Sequence, residues 1–136
     1  MTLSFETTGV LNNYTYSNST MKFVSVLSSS LEMSSIEIAH ISLSKHLIEC
    51  IRCERVIWQN IVIKNILTTS QSIIFLSGSV INQISNFTIT DVNDIAFHLI
   101  KTKVILIDNL NITNATTGIC LEQSQLSLFQ NSMIKD

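Results

Sequence analysis

The sequence has no proline, only three glycines and little charge. Proline and glycine usually supply the special backbone angles of turns, so the turns here must use other residues that tolerate left-handed angles, with Asn and Asp as the first candidates. Charged residues make up 13% of the 136 residues, and the net charge is −2. The chain therefore lacks the positive charge that attracts nucleic acids or anionic membranes, and we expect neither as a partner.

Long apolar runs are also missing. The longest uncharged stretch, 65–90, is interrupted every few residues by Ser, Thr, Asn or Gln. A transmembrane helix needs about 20 mainly apolar residues, so we expect no membrane insertion. The N-terminus lacks both the basic region and the apolar region of a signal peptide.

What the chain does contain is a repeated five-residue pattern. Its first and third residues are apolar, and its fifth is Asn, Asp or His. It begins at positions 14, 36, 61, 87, 110 and, more weakly, 132, which gives spacings of 22, 25, 26, 23 and 22 residues. Apolar residues in alternation predict strands with one buried face. Repeats with spacings in this range predict a solenoid.

A second motif lies between these segments. Two apolar residues flank one residue, and a further apolar residue follows five positions after the second of them, as in Val24-Ser25-Val26 and Leu31 or in Ile74-Phe75-Leu76 and Ile81. The same arrangement recurs at 97–104 and 119–126. Together the two motifs predict a coil of three short strands joined by polar turns.

Polar residues mark the ends of these strands. Four asparagines directly precede predicted strands: Asn60, Asn86, Asn109 and Asn131. The predicted corner residues, which follow the strands, are Asn18, His40, Asn65, Asp91, Asn114 and Asp136. An Asn side chain satisfies backbone groups at a bend and can bond to its counterpart in the next coil. These residues are therefore predicted to build the fold rather than to bind a ligand.

The repeats resemble those of the right-handed parallel β-helix proteins of the pectin lyase-like superfamily, from about Tyr14 to Asp136. We therefore predict an all-β, right-handed, single-stranded parallel β-helix of about six coils of 22–26 residues, with three short strands per coil. Residues 1–136 are expected to form one segment of a longer solenoid. Leucine-rich repeats place two residues between the last strand leucine and the Asn, where this chain has one, and the six-residue period of left-handed β-helices is missing.

The resemblance implies action on polysaccharides, because many proteins of this superfamily are glycan lyases or hydrolases. Hydrolases need an acid and a base carboxylate close together, and the lyases combine Asp-bound calcium with an Arg or Lys. In this sequence the nearest acidic pair in the coils is Asp91 and Asp94, and turn chemistry is the favoured role for both. We predict no catalytic residue and no enzymatic activity.

The metal-binding residue types are scattered. Cys50-Ile51-Arg52-Cys53 has a spacing seen in metal and redox sites, but buried or turn cysteines are the favoured interpretation. A Cys50–Cys53 disulfide, or a zinc site shared with another chain, is the alternative. His40, His46 and His98 occupy different positions of the coil, and Trp58 is expected in the core rather than on a sugar-binding surface. We predict no metal and no cofactor.

Five sequons, at Asn13, Asn18, Asn86, Asn111 and Asn114, are predicted N-glycosylation sites and favour an extracellular or cell-surface location. The predicted function is a non-catalytic structural or adhesive β-helix segment, such as part of a stalk or filament. Its expected partners are further copies or a continuation of the solenoid, and glycans. The alternatives are part of a polysaccharide lyase or hydrolase with its catalytic coils elsewhere, or a carbohydrate-binding β-helix.

Overall fold

A computed structural model describes residues 3–5, 9–19, 23–69 and 72–135, and its regular elements are strands. Among these residues there is no helix with the length and apolarity that a membrane crossing requires. The strands are β1 (Leu3–Phe5), β2 (Gly9–Ser19), β3 (Val24–Leu27), β4 (Ser30–Leu43), β5 (Ile48–Ile51), β6 (Arg55–Thr68), β7 (Ser72–Ser77), β8 (Val80–Val92), β9 (Ile95–Ile100), β10 (Lys103–Thr113), β11 (Thr117–Glu122), β12 (Gln125–Gln130) and β13 (Met133–Lys135).

The strands form two parallel sheets. Sheet 1 contains six short strands in the order β1-β3-β5-β7-β9-β11. Sheet 2 contains seven strands, in the order β12-β10-β8-β6-β4-β2 with β13 beside β10, and most of them are long. Because the chain alternates between the sheets and advances by one strand each time, it winds as a solenoid. The predicted parallel β-helix is confirmed, with about five turns where about six were predicted.

The register of sheet 2 follows the sequence repeat. Tyr14 pairs with Ile36, Ile36 with Ile61, and Ile61 with Phe87, so the first residue of each repeat lies directly above that of the preceding one. Phe87 pairs in the same way with Leu110. The spacing read from the sequence is therefore the length of one turn.

Three columns of left-handed backbone make the corners of each coil. Positive φ angles between 49° and 59° occur at fourteen of the described residues. The first corner, after each sheet 1 strand, is formed by Ser28, Arg52, Gly78, Lys101 and Gln123; the second by Ser35, Asn60, Asn86, Asn109 and Asn131; and the third by His40, Asn65, Asp91 and Asn114. The second and third corners bend the long strands of sheet 2, so each coil has three straight segments, as the sequence predicts.

The interior is filled by stacked apolar side chains from successive coils. Ile38, Ile63, Ile89 and Ile112 form one such column and are fully buried. Burying one side chain of this size contributes about 1.5–3 kcal/mol to stability. A continuous core thus stabilises coils that are each too thin to fold alone.

The coil from Cys50 to Trp58 departs from the regular turn length. Cys50 and Val56 are six residues apart, whereas the equivalent residues Leu76 and Ile81 are five apart, so the first corner holds an extra residue. A bulge follows in the next coil, where the register skips Asn82. These single-residue changes alter the turn length locally and leave the stacking on either side intact.

The left-handed corner at Asn86 predicts that glycine and alanine substitutions affect stability in a different order there than in a strand. The Asn86 backbone has φ 49°. This left-handed angle is unfavourable for a residue that has a β-carbon but no side-chain amide to hydrogen-bond locally. Asn86→Ala should therefore lower the free energy of unfolding by about 1–2 kcal/mol. Asn86→Gly should be no worse than Asn86→Ala. At Thr88, an ordinary strand residue, glycine should instead be worse than alanine by about 0.5–1 kcal/mol. Urea denaturation of the four unglycosylated variants tests this, and the same order at both positions would refute it.

Candidate functional site

An open groove runs along the third corner of the solenoid. Its volume is about 440 Å³, and its lining is His40, Ile41, Ser42, Asn65, Leu67 and Asp91. His40, Asn65 and Asp91 are corner residues of three successive coils, so their side chains follow one another at the spacing of parallel strands, about 4.8 Å. The groove thus combines a row of polar groups with the aliphatic side chain of Leu67, which is 59% exposed.

The corner amides form hydrogen-bonded ladders between coils. At the second corner the Asn86 amide donates to Asn60 Oδ1 at 3.1 Å, and the Asn109 amide donates to Asn86 Oδ1 at 2.8 Å. At the third corner the Asn114 amide donates to Asp91 Oδ1 at 2.7 Å. Of the six predicted corner residues, His40, Asn65, Asp91 and Asn114 have left-handed backbones, whereas the side chain of Asn18 and the whole of Asp136 lie outside the described residues.

A column of buried hydroxyl groups closes the first corner. Thr102 Oγ1 donates to backbone carbonyls, among them Ile100 O at 3.0 Å, and accepts from the backbone N–H of Ser79 at 3.4 Å. Ser79 and Ser124 occupy the same position in neighbouring coils, with the same kind of bonds to carbonyls and to the preceding coil. The hydroxyl groups satisfy the polar backbone atoms that the left-handed turn leaves buried.

Cys53 belongs to this hydroxyl column. Its backbone N–H donates to Ser79 Oγ at 2.9 Å, and its Sγ contacts the carbonyl of Val26 at 3.9 Å. Cys53 is 1% exposed, so its thiol takes the place that a serine or threonine hydroxyl has in the next coils. No feature of the sequence pattern around Cys53 indicates this role, because the column appears only once the coils are aligned.

Cys50 lies in a different column, among apolar residues. It pairs with Val26 on one side and Leu76 on the other, and it is fully buried. Its hydrogen bond to Cys53 and its burial raise the pKa of the Cys50 thiol, so this group stays protonated. Both cysteines are free thiols in the structure, and the Cys50–Cys53 disulfide stays a prediction.

The other residues singled out in the sequence have local roles. Trp58 is fully buried, with its ring centroid 6.1 Å from that of Phe87, so it offers no surface to a sugar. Asp94 accepts the backbone N–H of Ile95 at 2.9 Å, and Asp91 accepts the Asn114 amide. Both carboxylates therefore serve the turns in which they lie.

The predicted glycosylation sites differ in accessibility. Asn86 and Asn114 are exposed, but the amide nitrogen of each donates to the preceding coil. Asn111 is half-buried, and its side-chain oxygen is buried. The side chains of Asn13 and Asn18 lie outside the described part of the chain. Glycosylation stays a prediction at all five sites.

The outer face of sheet 1 carries aromatic and ionisable side chains. The His46 and Phe75 rings are stacked with their centroids 4.7 Å apart, and the His98 ring meets Phe75 edge-on at 5.6 Å. His98 Nε2 lies 2.6 Å from Glu122 Oε1. Within the described ranges, one group of three side chains could hold a metal ion, and it consists of His98, Cys120 and Glu122.

The two cysteines provide a test of these column roles. Cys53→Ser should change the free energy of unfolding by less than about 1 kcal/mol, because serine is the residue that the neighbouring coils use there. Cys50→Ser places a hydroxyl in an apolar column, where the sulfur of Cys53 is only a weak hydrogen-bond partner, and should cost about 1–3 kcal/mol. Cys50→Val, which copies Val26, should be tolerated, whereas Cys53→Val should not.

Urea denaturation under reducing conditions measures these four variants. Equal losses for the two serine variants would contradict the column roles and indicate that the two thiols act as a pair. Mass spectrometry of the unfolded, unreduced wild type then reports whether the pair is oxidised.

No protein-family model, curated protein or solved structure matches this chain.

Proposed function

We propose that this chain is a non-catalytic structural segment of an extracellular or surface protein, and that it associates end to end as part of a stalk or filament. The observation that carries the proposal is the last described coil. There Leu121, Leu126, Phe129 and Ile134 are 37% to 46% exposed, although their counterparts one coil earlier are at most 2% exposed. The side chains that build the core elsewhere thus lie open in this coil.

The backbone of this coil is open in the same way. Among the described strands, β11 pairs only with β9, and β12 and β13 pair only with β10. At the other end of the described part, β1 pairs only with β3 and β2 only with β4. An open edge exposes backbone donors and acceptors that readily pair with another strand.

A second copy of this chain, or a continuation of the solenoid, would supply strands that can pair with these edges. In a second copy these strands are β1 and β2, which belong to the same two parallel sheets as β11 and β12. Completing the burial of four side chains of this size contributes about 1 kcal/mol each. The hydrogen bonds of a whole coil, at about 0.5–1.5 kcal/mol each, add to this. These gains oppose the entropy cost of association, which is about 4–15 kcal/mol.

The coil architecture also supports, as part of this proposal, membership of the pectin lyase-like superfamily.

Most of the distinctive polar side chains are engaged in building the coil: the corner amides bond to one another, and the buried hydroxyls bond to the backbone. The use of these side chains in hydrogen bonds within the coil favours a structural role for the chain.

Self-association is tested with the purified full chain. Electron microscopy should show rods, and sedimentation should show species that grow with concentration. Phe129→Asp, which places a charge on the open apolar end, should abolish this growth, because burying an unpaired carboxylate is strongly unfavourable. Ser127→Asp adds the same charge to the same strand and should retain it.

Compact monomers of the wild type at every concentration would contradict the proposal, as would equal effects of Phe129→Asp and Ser127→Asp. Circular dichroism of both variants checks that the β-structure is retained, so that lost association is not mistaken for lost folding.

Carbohydrate binding in the groove of the third corner is a second candidate. The presence of the exposed Leu67 beside the polar row of His40, Asn65 and Asp91 favours it, because sugars combine hydroxyl groups with an apolar ring face. The row repeats with the coils and so suits a linear glycan, whose units also repeat.

A glycan array tests the second candidate. Leu67→Glu should weaken binding of any captured glycan at least tenfold, because it puts a charge on the apolar part of the groove. Val62→Glu, an exposed aliphatic position on the same strand but outside the groove lining, should leave binding unchanged. Absence of bound glycans, or equal losses in the two variants, would refute glycan binding in this groove.

A further inference from the structure

We propose that His98, Cys120 and Glu122 form a three-ligand site for a zinc-type divalent metal ion on the outer face of sheet 1. His98 on β9 pairs directly with Cys120 on β11. Glu122 follows Cys120 by two residues on the same strand, so its side chain leaves the sheet on the same side. Parallel stacking therefore brings together residues that are 22 to 24 positions apart in the sequence.

The potential ligand atoms are already close to one another. The His98 nitrogen, the Cys120 sulfur and the Glu122 oxygen all lie within 4.8 Å of one another. Around a tetrahedral zinc ion, ligand atoms at 2.0–2.3 Å from the metal are about 3.5 Å apart. The separations therefore have to change by only about 1 Å, which is within the range of side-chain rotation.

The chemistry of the three groups selects the metal. Imidazole, thiolate and carboxylate are all common zinc ligands, whereas Ca²⁺ and Mg²⁺ prefer oxygen ligands alone. A thiolate and a carboxylate together carry two negative charges, which neutralise a divalent ion. On binding, the Cys120 thiol loses its proton to solvent. The proton between His98 Nε2 and Glu122 also leaves, to Nδ1 of a neutral His98 or to solvent from a charged one, and the metal takes its place.

The surroundings hold the site open and oriented. The His98 side chain is only 15% exposed, and its ring lies edge-on against Phe75, which also stacks on His46. The Glu122 side chain is 55% exposed, so the site faces solvent. Three protein ligands and an accessible fourth position are the arrangement in which zinc retains a water molecule.

A plain hydrogen bond between His98 and Glu122 is the competing explanation of this cluster. It accounts for the distance of 2.6 Å between their side chains but gives Cys120 no part. The involvement of the Cys120 sulfur is therefore the property that separates the two explanations.

Cobalt titration of the reduced, metal-free full chain tests the site. We expect one equivalent of Co²⁺ to produce a thiolate-to-cobalt charge-transfer band, and zinc to displace it. Cys120→Ser should abolish the band. His98→Ala and the isosteric Glu122→Gln should each weaken metal binding at least tenfold. His40→Asn, which removes a histidine at a corner where neighbouring coils use Asn or Asp, should bind cobalt like the wild type.

Thiol protection gives a second readout that does not depend on cobalt. Zinc should slow alkylation of the half-buried Cys120 in the wild type but not in Glu122→Gln, which is expected to fold normally. A wild type without a charge-transfer band and with unchanged Cys120 alkylation in zinc would overturn the proposal. A band that persists in Cys120→Ser would also overturn it and would assign the metal to Cys50 and Cys53. These measurements use dilute monomer, so they are independent of end-to-end association.

Discussion

Every coil must present the same backbone to the coil above it, and most of the structure depends on this constraint. Parallel strands about 4.8 Å apart can continue to pair through a bend only if all of them bend at the same place. The left-handed corners therefore form columns, and a residue such as Arg52 or Lys101 adopts a left-handed backbone because its neighbours in the column do. At the first corner, buried hydroxyl groups bond to the polar backbone atoms that the bend leaves unpaired. At the second and third corners, side-chain amides bond to side chains of the adjacent coil.

The sequence predicted the parts of the fold in which this constraint uses one residue type repeatedly. The recurring Asn residues revealed the second corner, and the alternation of apolar residues revealed the strands and the length of each turn. The first corner was expected only as a polar turn, because Ser28, Arg52, Gly78, Lys101 and Gln123 share no side-chain chemistry. The signal that identifies it lies one residue later, where Ser79, Thr102 and Ser124 repeat a small hydroxyl group.

Two features needed the coil register and could not be predicted from the sequence alone. The C-x-x-C spacing suggested a joint chemical role, but register places Cys50 in an apolar column and Cys53 in a hydroxyl column. The three histidines lie at different positions of the coil, which argues against a metal site built from histidines alone but not against one that combines a histidine with other residue types. His98 meets a cysteine and a glutamate of the following coil, and a register different by one residue would have put them on opposite faces of the sheet.

The amide ladders also have a direction. The side-chain amides of Asn86, Asn109, Asn114 and Asn131 each donate to the preceding coil, so their dipoles point the same way along the axis. A face that ends in acceptors differs from a face that ends in donors, and neither is complementary to itself. Two copies related by a twofold axis would bring like groups together, whereas copies related by translation along the axis would continue the ladder. Contacts of this second, heterologous type do not close, so an assembly built from them has no inherent limit to its length and has two chemically different tips.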